Sequence, residues 1–463
     1  MSQFRKHAWE VFRRFPKLAM VLALSIIPGM DRADEIDWNR VRQEAAGYLS
    51  RYIAIDTLNP PGRTVEAAEF LGSILESAGI PVEKFDSGDG RVSLLARLEG
   101  TRTERNPLVL LHHMDIVPAD PDLWSHPPLG GETDNGYIWG RGAVDMKGMG
   151  ILELMAMILV KRQGLDLNRD LVYLAVPDEE TGGQHGTGWM TENHWDRLDP
   201  EYVWDEGLTG TRNLFSDRSV VWGISVAEKK VLWLRLIVEG TGGHGSQPHA
   251  DNPVDFLVRS MARLSDHDFP VQRSPVVTEI FDRLGEPLAN KFTNSIQRNT
   301  CSLTTLTAGM GDPPKVNVIP SRAEATIDCR ILPDVSPSGF LDQLKDILGR
   351  EHFASGRMRI ETIQEAEPVG VVTSFDSELF RIMKEVAEAE REGSVAIPVQ
   401  VPWGTDSRYF RERGVKAYGF IPIILEPGEL ARMHGVDERI SVENLELGTR
   451  LMYRILERFL ASG

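Results

Sequence analysis

Short apolar runs that end in polar or acidic residues recur through the first half of the chain. Leu108–Leu111 and Leu171–Val176 have the length and composition of buried β-strands. Between them, Lys147–Arg162 is apolar on nearly all sides, which predicts a helix buried against a sheet. Because strands alternate with helices, we predict an α/β fold with a mostly parallel sheet and helices on both of its faces.

The order of predicted elements changes near Glu228. From there we expect, in order, the strand Val231–Glu239, the helix Val254–Leu264, the strands Thr300–Thr307 and Glu324–Leu332, a helix around Phe340–Leu348 and the strand Met358–Ile363. This β-α-β-β-α-β order is the split βαβ pattern, and it predicts a ferredoxin-like unit inserted into the first domain. Pro270–Gln297 is poorly patterned and is assigned to an excursion.

The length and composition indicate a soluble protein with more than one domain. A chain of 463 residues is too long for one ordinary core. The pattern divides it into a terminal segment (1–34), a first domain in two parts (35–227 and 367–463) and an inserted domain (228–366). The net charge of −17 argues against nucleic acid or an anionic membrane surface as the main partner.

The N-terminal residues differ from the rest of the chain. Basic residues between Arg5 and Lys17 precede the apolar run Leu18–Ile27, which Pro28-Gly29 ends. The run is shorter than the roughly 20 residues that span a bilayer, and a basic stretch before such a run resembles a secretory signal. Export, a membrane association through this segment alone, and a cytoplasmic location with a plain N-terminal helix all stay open.

The cysteine content limits both cross-linking and metal chemistry. Cys301 and Cys329 are the two cysteines, too few for a disulfide framework or a cysteine-rich zinc module. We expect two buried thiols on neighbouring strands rather than a bridge. Any metal is therefore expected to use His, Asp and Glu ligands, which favours Zn, Mn or Co.

Four segments place acidic and histidine side chains beside predicted apolar elements. They are His112–Asp115 after the first strand, Trp139–Gly148 with Asp145, Pro177–Gly183 with Glu179 and Glu180, and Asp205–Gly207 after the strand Tyr202–Trp204. In open α/β sheets, ligands bind at the carboxyl ends of the strands. Acids and a histidine at several strand ends therefore predict a divalent-metal site.

Each segment alone is ambiguous. A strand-end histidine is usually a hydrogen-bonded structural residue, and adjacent glutamates usually form a solvated face. A two-metal site needs about five side-chain ligands, one of them a carboxylate that spans ions roughly 3.5–4 Å apart. It also needs an unligated carboxylate that can take a proton from water. Of Glu179 and Glu180, one can be a metal ligand while the other is the unligated base.

Taken together, the segments resemble the di-zinc amidohydrolase and peptidase family of aminoacylase, carboxypeptidase S, acetylornithine deacetylase and succinyl-diaminopimelate desuccinylase. The resemblance runs from about Trp38 to the C-terminus. It rests on His113-x-Asp115 with Val117-Pro118, Gly140-Arg141-Gly142 with Asp145-Met146-Lys147, Asp178-Glu179-Glu180, Asp205-Glu206-Gly207 and His434-Gly435. It implies a zinc-binding α/β catalytic domain and an inserted lid domain.

The resemblance also implies two zinc ions per subunit, with Co²⁺ or Mn²⁺ as substitutes. The metal ligands that it implies are His113 for one ion, Asp145 as the bridge, Glu180 and His434 for the other ion, and either Asp205 or Glu206 for the first. Family members carry an acid-Gly or an acid-Pro pair at that last position, so both acids are kept. Glu179 is expected to be the general base and then the general acid.

Further residues are expected to support or complete this site. Asp115 is expected to orient the imidazole of His113, whereas strand alternation points His112 away and predicts a structural role for it. In the family a lid histidine, often from a partner subunit, stabilises the oxyanion, and His244 matches it. The expected substrate contacts are Asn317, Arg330, Gly404, Thr405 and Arg408. Either arginine could instead form a structural ion pair.

We therefore predict a zinc-dependent hydrolase that cuts an amide or peptide bond next to a free carboxylate. Its expected substrates are small peptides or N-acyl amino acids, its expected assembly is a homodimer through the lid, and nucleic acid is not expected as a partner. A deacylase or desuccinylase of the acetylornithine or diaminopimelate type is the alternative within the family. A non-catalytic protein that binds metal or peptide on the same fold is the alternative of another class.

Overall fold

The computed structural model describes residues 35–461, apart from 103, 218 and 365–369. The N-terminal segment 1–34, with its basic and apolar stretches, lies outside these residues. Within the described ranges, none of the helices combines the length and the apolarity that crossing a bilayer requires.

The strands of the described residues are numbered in chain order. They are β1 (Val82–Asp86), β2 (Val92–Leu98), β3 (Leu108–His113), β4 (Glu132–Asp134), β5 (Tyr137–Trp139), β6 (Leu171–Val176), β7 (Tyr202–Thr211), β8 (Val221–Glu228), β9 (Lys230–Glu239), β10 (Gly243–His244), β11 (Thr300–Ala308), β12 (Val318–Ile319), β13 (Arg322–Ile331), β14 (Met358–Gln364), β15 (Val395–Val401), β16 (Lys416–Leu425) and β17 (Arg439–Ser441).

The helices of the described residues are also numbered in chain order. They are α1 (Trp38–Ile53), α2 (Val65–Ser77), α3 (Lys147–Arg162), α4 (Thr187–Asn193), α5 (Trp195–Leu198), α6 (Pro253–Ser265), α7 (Pro275–Leu284), α8 (Lys291–Ser295), α9 (Pro337–Leu348), α10 (Arg350–Ala354), α11 (Glu378–Glu390), α12 (Ser407–Arg411), α13 (Pro427–Leu430) and α14 (Val442–Leu460). Short 3₁₀ turns occupy Pro121–Leu123 and Glu179–Thr181.

An eight-stranded sheet forms the larger part of the fold. Its strand order is β1-β2-β6-β3-β7-β16-β8-β15. The central strands β6, β3, β7 and β16 run parallel to one another, whereas β2 and β8 run antiparallel to their neighbours β6 and β16. The prediction of a mostly parallel α/β sheet is confirmed.

Side-chain alternation along β3 separates the two helical layers. Val109 and Leu111 pack in one apolar cluster with Met190 of α4 and Phe410 of α12. The other face of the sheet meets the buried helix α3, whose bounds match the prediction. There His112 Nδ1 lies 3.0 Å from a carboxylate oxygen of Glu153 on α3. His112 is thus held away from His113, as strand alternation predicts.

A buried lysine fixes the start of α3. The Lys147 ammonium is fully buried and donates to the carbonyls of Tyr52 (3.1 Å) and Ile55 (2.7 Å) at the end of α1. Burial lowers the pKa of Lys147 to about 7. Two carbonyl acceptors offset part of the free energy that burying this charge requires. The contact fixes the backbone immediately after Asp145.

A second, four-stranded antiparallel sheet has the order β11-β13-β9-β14. We call residues Lys230–Gln364 the antiparallel unit. Its main elements follow the order β9-α6-β11-β13-α9-β14, which matches the predicted β-α-β-β-α-β pattern. The strands and the two helices bury one shared core, which includes Leu236, Met261, Ile327 and Leu344.

The segment assigned to an excursion, Pro270–Gln297, returns to the larger sheet. It forms α7 and α8, each of which begins with a side-chain cap, from Ser274 and Asn290. Ile280 and Phe292 from these helices pack with Val399 of β15 in one apolar cluster. The excursion therefore covers part of the larger sheet.

The cysteine prediction is half right. Cys301 and Cys329 do lie on neighbouring strands, but they are joined by a disulfide rather than kept as free thiols. The two residues are direct partners in the β11–β13 ladder, and their Cα atoms are 4.1 Å apart. Directly opposed residues in an antiparallel pair bring their Cβ atoms close enough to bridge. Strand register, which the sequence pattern does not fix, decides the outcome.

We predict that reduction of the Cys301–Cys329 bridge lowers the thermal midpoint of the protein. The bridge closes a loop with a sequence separation of 28 residues, for which loop-closure entropy corresponds to about 3.6 kcal/mol. Calorimetric scans with and without a phosphine reductant measure the shift. The double variant Cys301→Ala/Cys329→Ala is the control and should not respond to the reductant. Two free thiols in the oxidised, denatured protein would show that the bridge does not form.

Candidate metal centre

Side chains from four separate segments converge at the carboxyl ends of the central strands. His113 is the last residue of β3, and the Glu179–Thr181 turn closely follows β6. Asp145 lies just before α3, and His434 lies in the loop between α13 and β17. Parallel strands deliver their ends to one edge of a sheet, so segments far apart in sequence meet there.

Asp145 stands between two histidines. Its Oδ1 lies 3.2 Å from His113 Nε2, and its Oδ2 lies 3.1 Å from His434 Nε2. His434 Nε2 also lies 3.2 Å from Glu180 Oε2. His113 Nε2 lies 3.9 Å from Glu206 Oε1. Asp145 therefore offers one oxygen to each histidine, which is the arrangement of a bridging carboxylate.

The donor set fits divalent cations. Possible ligand atoms of His113, Asp145 and Glu180 lie within 4.8 Å of one another, and so do those of His113, Glu179 and Glu206. Four carboxylates against two imidazoles leave an excess of negative charge, most of it shielded from water. Oxygen and imidazole ligands together suit borderline ions such as Zn²⁺. We call the six residues His113, Asp145, Glu179, Glu180, Glu206 and His434 the acid cluster.

The structure distinguishes Asp205 from Glu206. The predicted strand Tyr202–Trp204 continues to Thr211, so both acids lie inside β7, where the register against β16 shifts between Asp205 and Leu208. Asp205 Oδ2 accepts a hydrogen bond from the Ser407 hydroxyl (2.7 Å), whereas Glu206 points towards His113. Only Glu206 joins the acid cluster. Acidic residues are rare inside central strands, which is why the pattern suggested that β7 ended earlier.

Asp115 orients the site in two ways. Its backbone carbonyl accepts a hydrogen bond from His113 Nδ1 (2.9 Å), which directs Nε2 of the same ring towards Asp145. Its carboxylate accepts from the backbone N–H groups of Glu179 and Glu180, both at 3.2 Å. The Asp115 carboxylate also lies 3.6 Å from His113 Nδ1, so it faces the imidazole that it is predicted to orient while it aligns the two glutamates.

Glu438 is a functional residue that sequence reasoning missed. Its buried carboxylate accepts from the Arg141 guanidinium (2.7 Å) and from the backbone N–H groups of Val144 (2.8 Å) and Asp145 (3.0 Å). Glu438 thereby joins the segment that carries His434 to the loop that carries Asp145. A signal was available, because the arginine of Gly140-Arg141-Gly142 requires an acidic partner if it is buried.

Burial and neighbouring charge shift the titration of the cluster. Burial raises the pKa of Glu179 and of Glu206 well above the ordinary range. Burial also raises the pKa of Asp145, but hydrogen bonds to the two histidines outweigh it, and the net shift is downward. Hydrogen bonds to Asp145 and Glu180 raise the pKa of His434 to about 10. In the absence of metal, the cluster therefore holds protons at neutral pH.

A cavity of about 270 Å³ opens onto the acid cluster. It is lined by Asp145, Glu179, Glu180, Glu206, His434, Trp403, Gly404, Leu430 and Met433. Gly404, a predicted substrate contact, lines this cavity. The next residue, Thr405, is buried and its backbone N–H donates to Glu228. Arg408 lies behind the Glu179–Thr181 turn, where its guanidinium donates to the carbonyl of Gly182 (2.6 Å).

The predicted site residues of the antiparallel unit lie outside this cavity lining. His244 is exposed on the short β10–β12 pair, with Nδ1 2.7 Å from the Ser246 hydroxyl. Next to this pair, the Asn317 carbonyl accepts from the Gly245 N–H (2.7 Å). Arg330 forms a two-bond ion pair with Asp328 (2.8 and 3.1 Å), which is the structural alternative considered for it.

Comparison with known proteins identifies the class of this fold and site. The model of Peptidase family M20/M25/M40 matches residues 109–458, so the chain belongs to that family. The resemblance seen in the motifs is confirmed, and the protein is a hydrolase of amide bonds. "Probable carboxypeptidase S-like 2" of Dictyostelium discoideum is 28% identical over 396 residues, which are 79% of this chain and 74% of the relative.

Another relative and two solved structures extend the comparison. "N-fatty-acyl-amino acid synthase/hydrolase PM20D1" of Mus musculus is 27% identical and covers 79% of this chain and 77% of its own. The metallo-carboxypeptidase Sso-CP2 of Sulfolobus solfataricus superposes with a TM-score of 0.70 at 19% identity, over 91% of this chain and 99% of that one. The Bacillus subtilis YXEP protein is described as a dinuclear metal-binding peptidase. It superposes with a TM-score of 0.60 at 14% identity, over 91% of this chain and 99% of that one.

We expect metal affinity to rise with pH across the neutral range. The pKa of His434 is raised to about 10, so below that pH the ring carries a proton that a metal ion must displace. The Kd for Zn²⁺ should therefore fall as pH increases from about 6 to about 8, with release of protons. Titration calorimetry in two buffers of different ionisation enthalpy measures the release. Identical heats in both buffers, with a Kd independent of pH, would contradict this picture.

Asp205 and Glu206 provide a matched pair of variants. Glu206→Gln should lose about one bound ion per chain, because an amide is a poor ligand for a borderline cation. Asp205→Asn should keep its metal, since that carboxylate faces Ser407, and should lose only about 1–2 kcal/mol of folding free energy. Elemental analysis after gel filtration and thermal melting measure the two effects. A reversed pattern of metal loss would assign the ligand to Asp205.

Proposed function

We propose that this chain is a zinc-dependent hydrolase that cleaves an amide or peptide bond next to a free carboxylate. The proposal covers dipeptides, C-terminal residues of small peptides and N-acyl amino acids. The observation that carries it is the position of Asp145 between His113 and His434, with Glu179 in the same cavity. The names of the relatives, a carboxypeptidase S-like protein and an acyl-amino acid hydrolase, support the substrate class.

The ligands divide into two groups around Asp145. His113 and Glu206 would hold one ion, Glu180 and His434 the other, and Asp145 both. When bound, a pair of zinc ions would supply Lewis acidity for the substrate carbonyl and would lower the pKa of water towards about 7. A neighbouring member of the fold described as dinuclear supports this assignment.

Glu179 is the proposed proton carrier. It lines the cavity and precedes Glu180 on one short turn, whose backbone Asp115 holds by two hydrogen bonds. Glu180 is committed to His434, so Glu179 is the carboxylate left to take a proton from the attacking water. It then delivers that proton to the leaving nitrogen. Its burial favours the protonated carboxyl that this second step requires.

The substrate carboxylate needs a cationic or hydrogen-bonding partner near the cavity. Gly404 lines the cavity, and a Cβ at Gly404 would lie 3.5 Å from Arg408 Nη1, so this guanidinium is close to the lining. We propose Arg408, with the Gly404 backbone, as that partner. Thr405 would hold this backbone in place through its N–H, which donates to Glu228. His244, Asn317 and Arg330 would reach the substrate only if the antiparallel unit of this or a second subunit approached the cavity.

The competing function, a protein that binds metal or peptide without turnover, predicts a different response to mutation. Neighbouring residues of one turn provide the test. Glu179→Gln should keep both ions but lower kcat by roughly 10²–10⁴, because general acid–base catalysis is lost. Glu180→Gln should lose metal as well as activity. Hydrolysis of a panel of dipeptides and N-acyl amino acids, scored as free amine, is measured beside the zinc content.

The two variants separate the possible outcomes. Full activity in Glu179→Gln would remove Glu179 from the chemistry. Metal loss in Glu179→Gln, with retention in Glu180→Gln, would exchange the two roles. If the zinc-loaded wild-type chain bound the panel but released no amine from any of it, the binding function would replace the hydrolase.

A further inference from the structure

Three apolar side chains share the cavity with the acid cluster. Trp403, Leu430 and Met433 line it beside Glu179, Glu180 and His434. Each of the three is half-buried, so part of its surface faces the cavity rather than the protein core. We call Trp403, Leu430 and Met433 the apolar wall. It brings uncharged surface next to the position where an amide carbonyl would react.

The apolar wall is supported from behind. The Trp403 ring lies 5.9 Å from the ring of Phe292, measured between centroids. Trp403 and Leu430 both pack against one buried cluster that includes Leu208 and Val399. The backbone after Trp403 is also fixed, because the Thr405 N–H donates to Glu228. A surface that is already ordered binds a ligand group without a large loss of conformational entropy.

The apolar character of Trp403, Leu430 and Met433 determines which substrate groups can bind to the apolar wall. Charged or strongly polar groups would lose water contacts against it without gaining hydrogen bonds. Alkyl and aromatic groups would leave water and gain about fourfold in affinity for each buried methylene. With the carbonyl fixed at the acid cluster, the group that meets the wall is a substituent directly flanking the scissile amide.

We propose that Trp403, Leu430 and Met433 form a subsite for an apolar substituent of the substrate, and that Trp403 determines specificity there. The preferred substrates then carry an alkyl or aromatic group beside the scissile bond, either in the acyl half or in the amine half. This inference rests on the proposed amide hydrolase function, since that function places the reacting carbonyl at the acid cluster.

The first measurement is binding without turnover. Calorimetry on the zinc-loaded protein, with straight-chain alkylhydroxamates from acetohydroxamate to octanohydroxamate, should show Kd falling about fourfold per methylene until the cavity is filled. Trp403→Ala should flatten this dependence, and the isosteric Leu430→Asn should reduce it. Trp38→Ala is the control, because Trp38 packs against Tyr453 in a separate part of the fold and should leave the dependence unchanged.

The second measurement assigns the half of the substrate. One series varies the acyl chain on a fixed amino acid, and another varies the amino acid under a fixed acetyl group. The series whose kcat/KM loses its size dependence in Trp403→Ala identifies the half that meets the wall. A wild-type Kd independent of hydroxamate length, together with kcat/KM values independent of size in both series, would overturn the subsite. Wild-type slopes retained in every series by a folded Trp403→Ala variant would overturn it as well.

The two proposals fail in different ways. Chain-length-dependent hydroxamate binding without cleavage of any amide would leave the subsite and remove the hydrolase. Cleavage of amides without any dependence on the size of either substituent would leave the hydrolase and remove the subsite.

Discussion

The concentration of carboxylates around two imidazoles is the constraint on which the rest of the structure depends. Burying an unpaired charge is unfavourable in free energy, and several acids near one another make the burial more unfavourable. The fold separates its acids into two kinds. Asp115, Asp205 and Glu438 are satisfied by donors from the protein itself. The carboxylates of the acid cluster face one another and the two histidines instead, which is stable only with protons or cations among them.

The satisfied acids give the cluster its shape. Asp115 holds the turn of Glu179 and Glu180 through their backbone N–H groups, so the two carboxylates diverge towards different partners. Glu438 brings the C-terminal loop to the loop before α3, and Arg141 adds a second link by donating to the Gly435 carbonyl (2.8 Å) beside His434. Residues that never touch a substrate thus determine which acids are free to act. A site assembled from segments as distant as β3 and the His434 loop requires such cross-links.

The predictable parts of the molecule are those in which a local pattern determines the structure. Helix α3 is apolar on nearly all sides and its bounds follow directly, and the β-α-β-β-α-β order of the antiparallel unit follows from periodicity. The motifs also located the acid cluster. What depends on pairing between distant segments was not predictable. Strand register joined Cys301 to Cys329, and continuation of β7 beside β16 separated Asp205 from Glu206.

Contacts between distant segments also explain why the apolar wall could not be predicted from the sequence. Its support comes from the excursion 270–297, whose helices α7 and α8 return to the larger sheet and bring Phe292 to Trp403. Lys229, at the crossing from β8 into β9, donates to the carbonyls of Ser295 and Arg298 and so fixes the end of that excursion. Its neighbour Glu228 holds Thr405, close to the wall. The crossing between the two sheets and the lining of the cavity therefore share the neighbouring anchors Glu228 and Lys229.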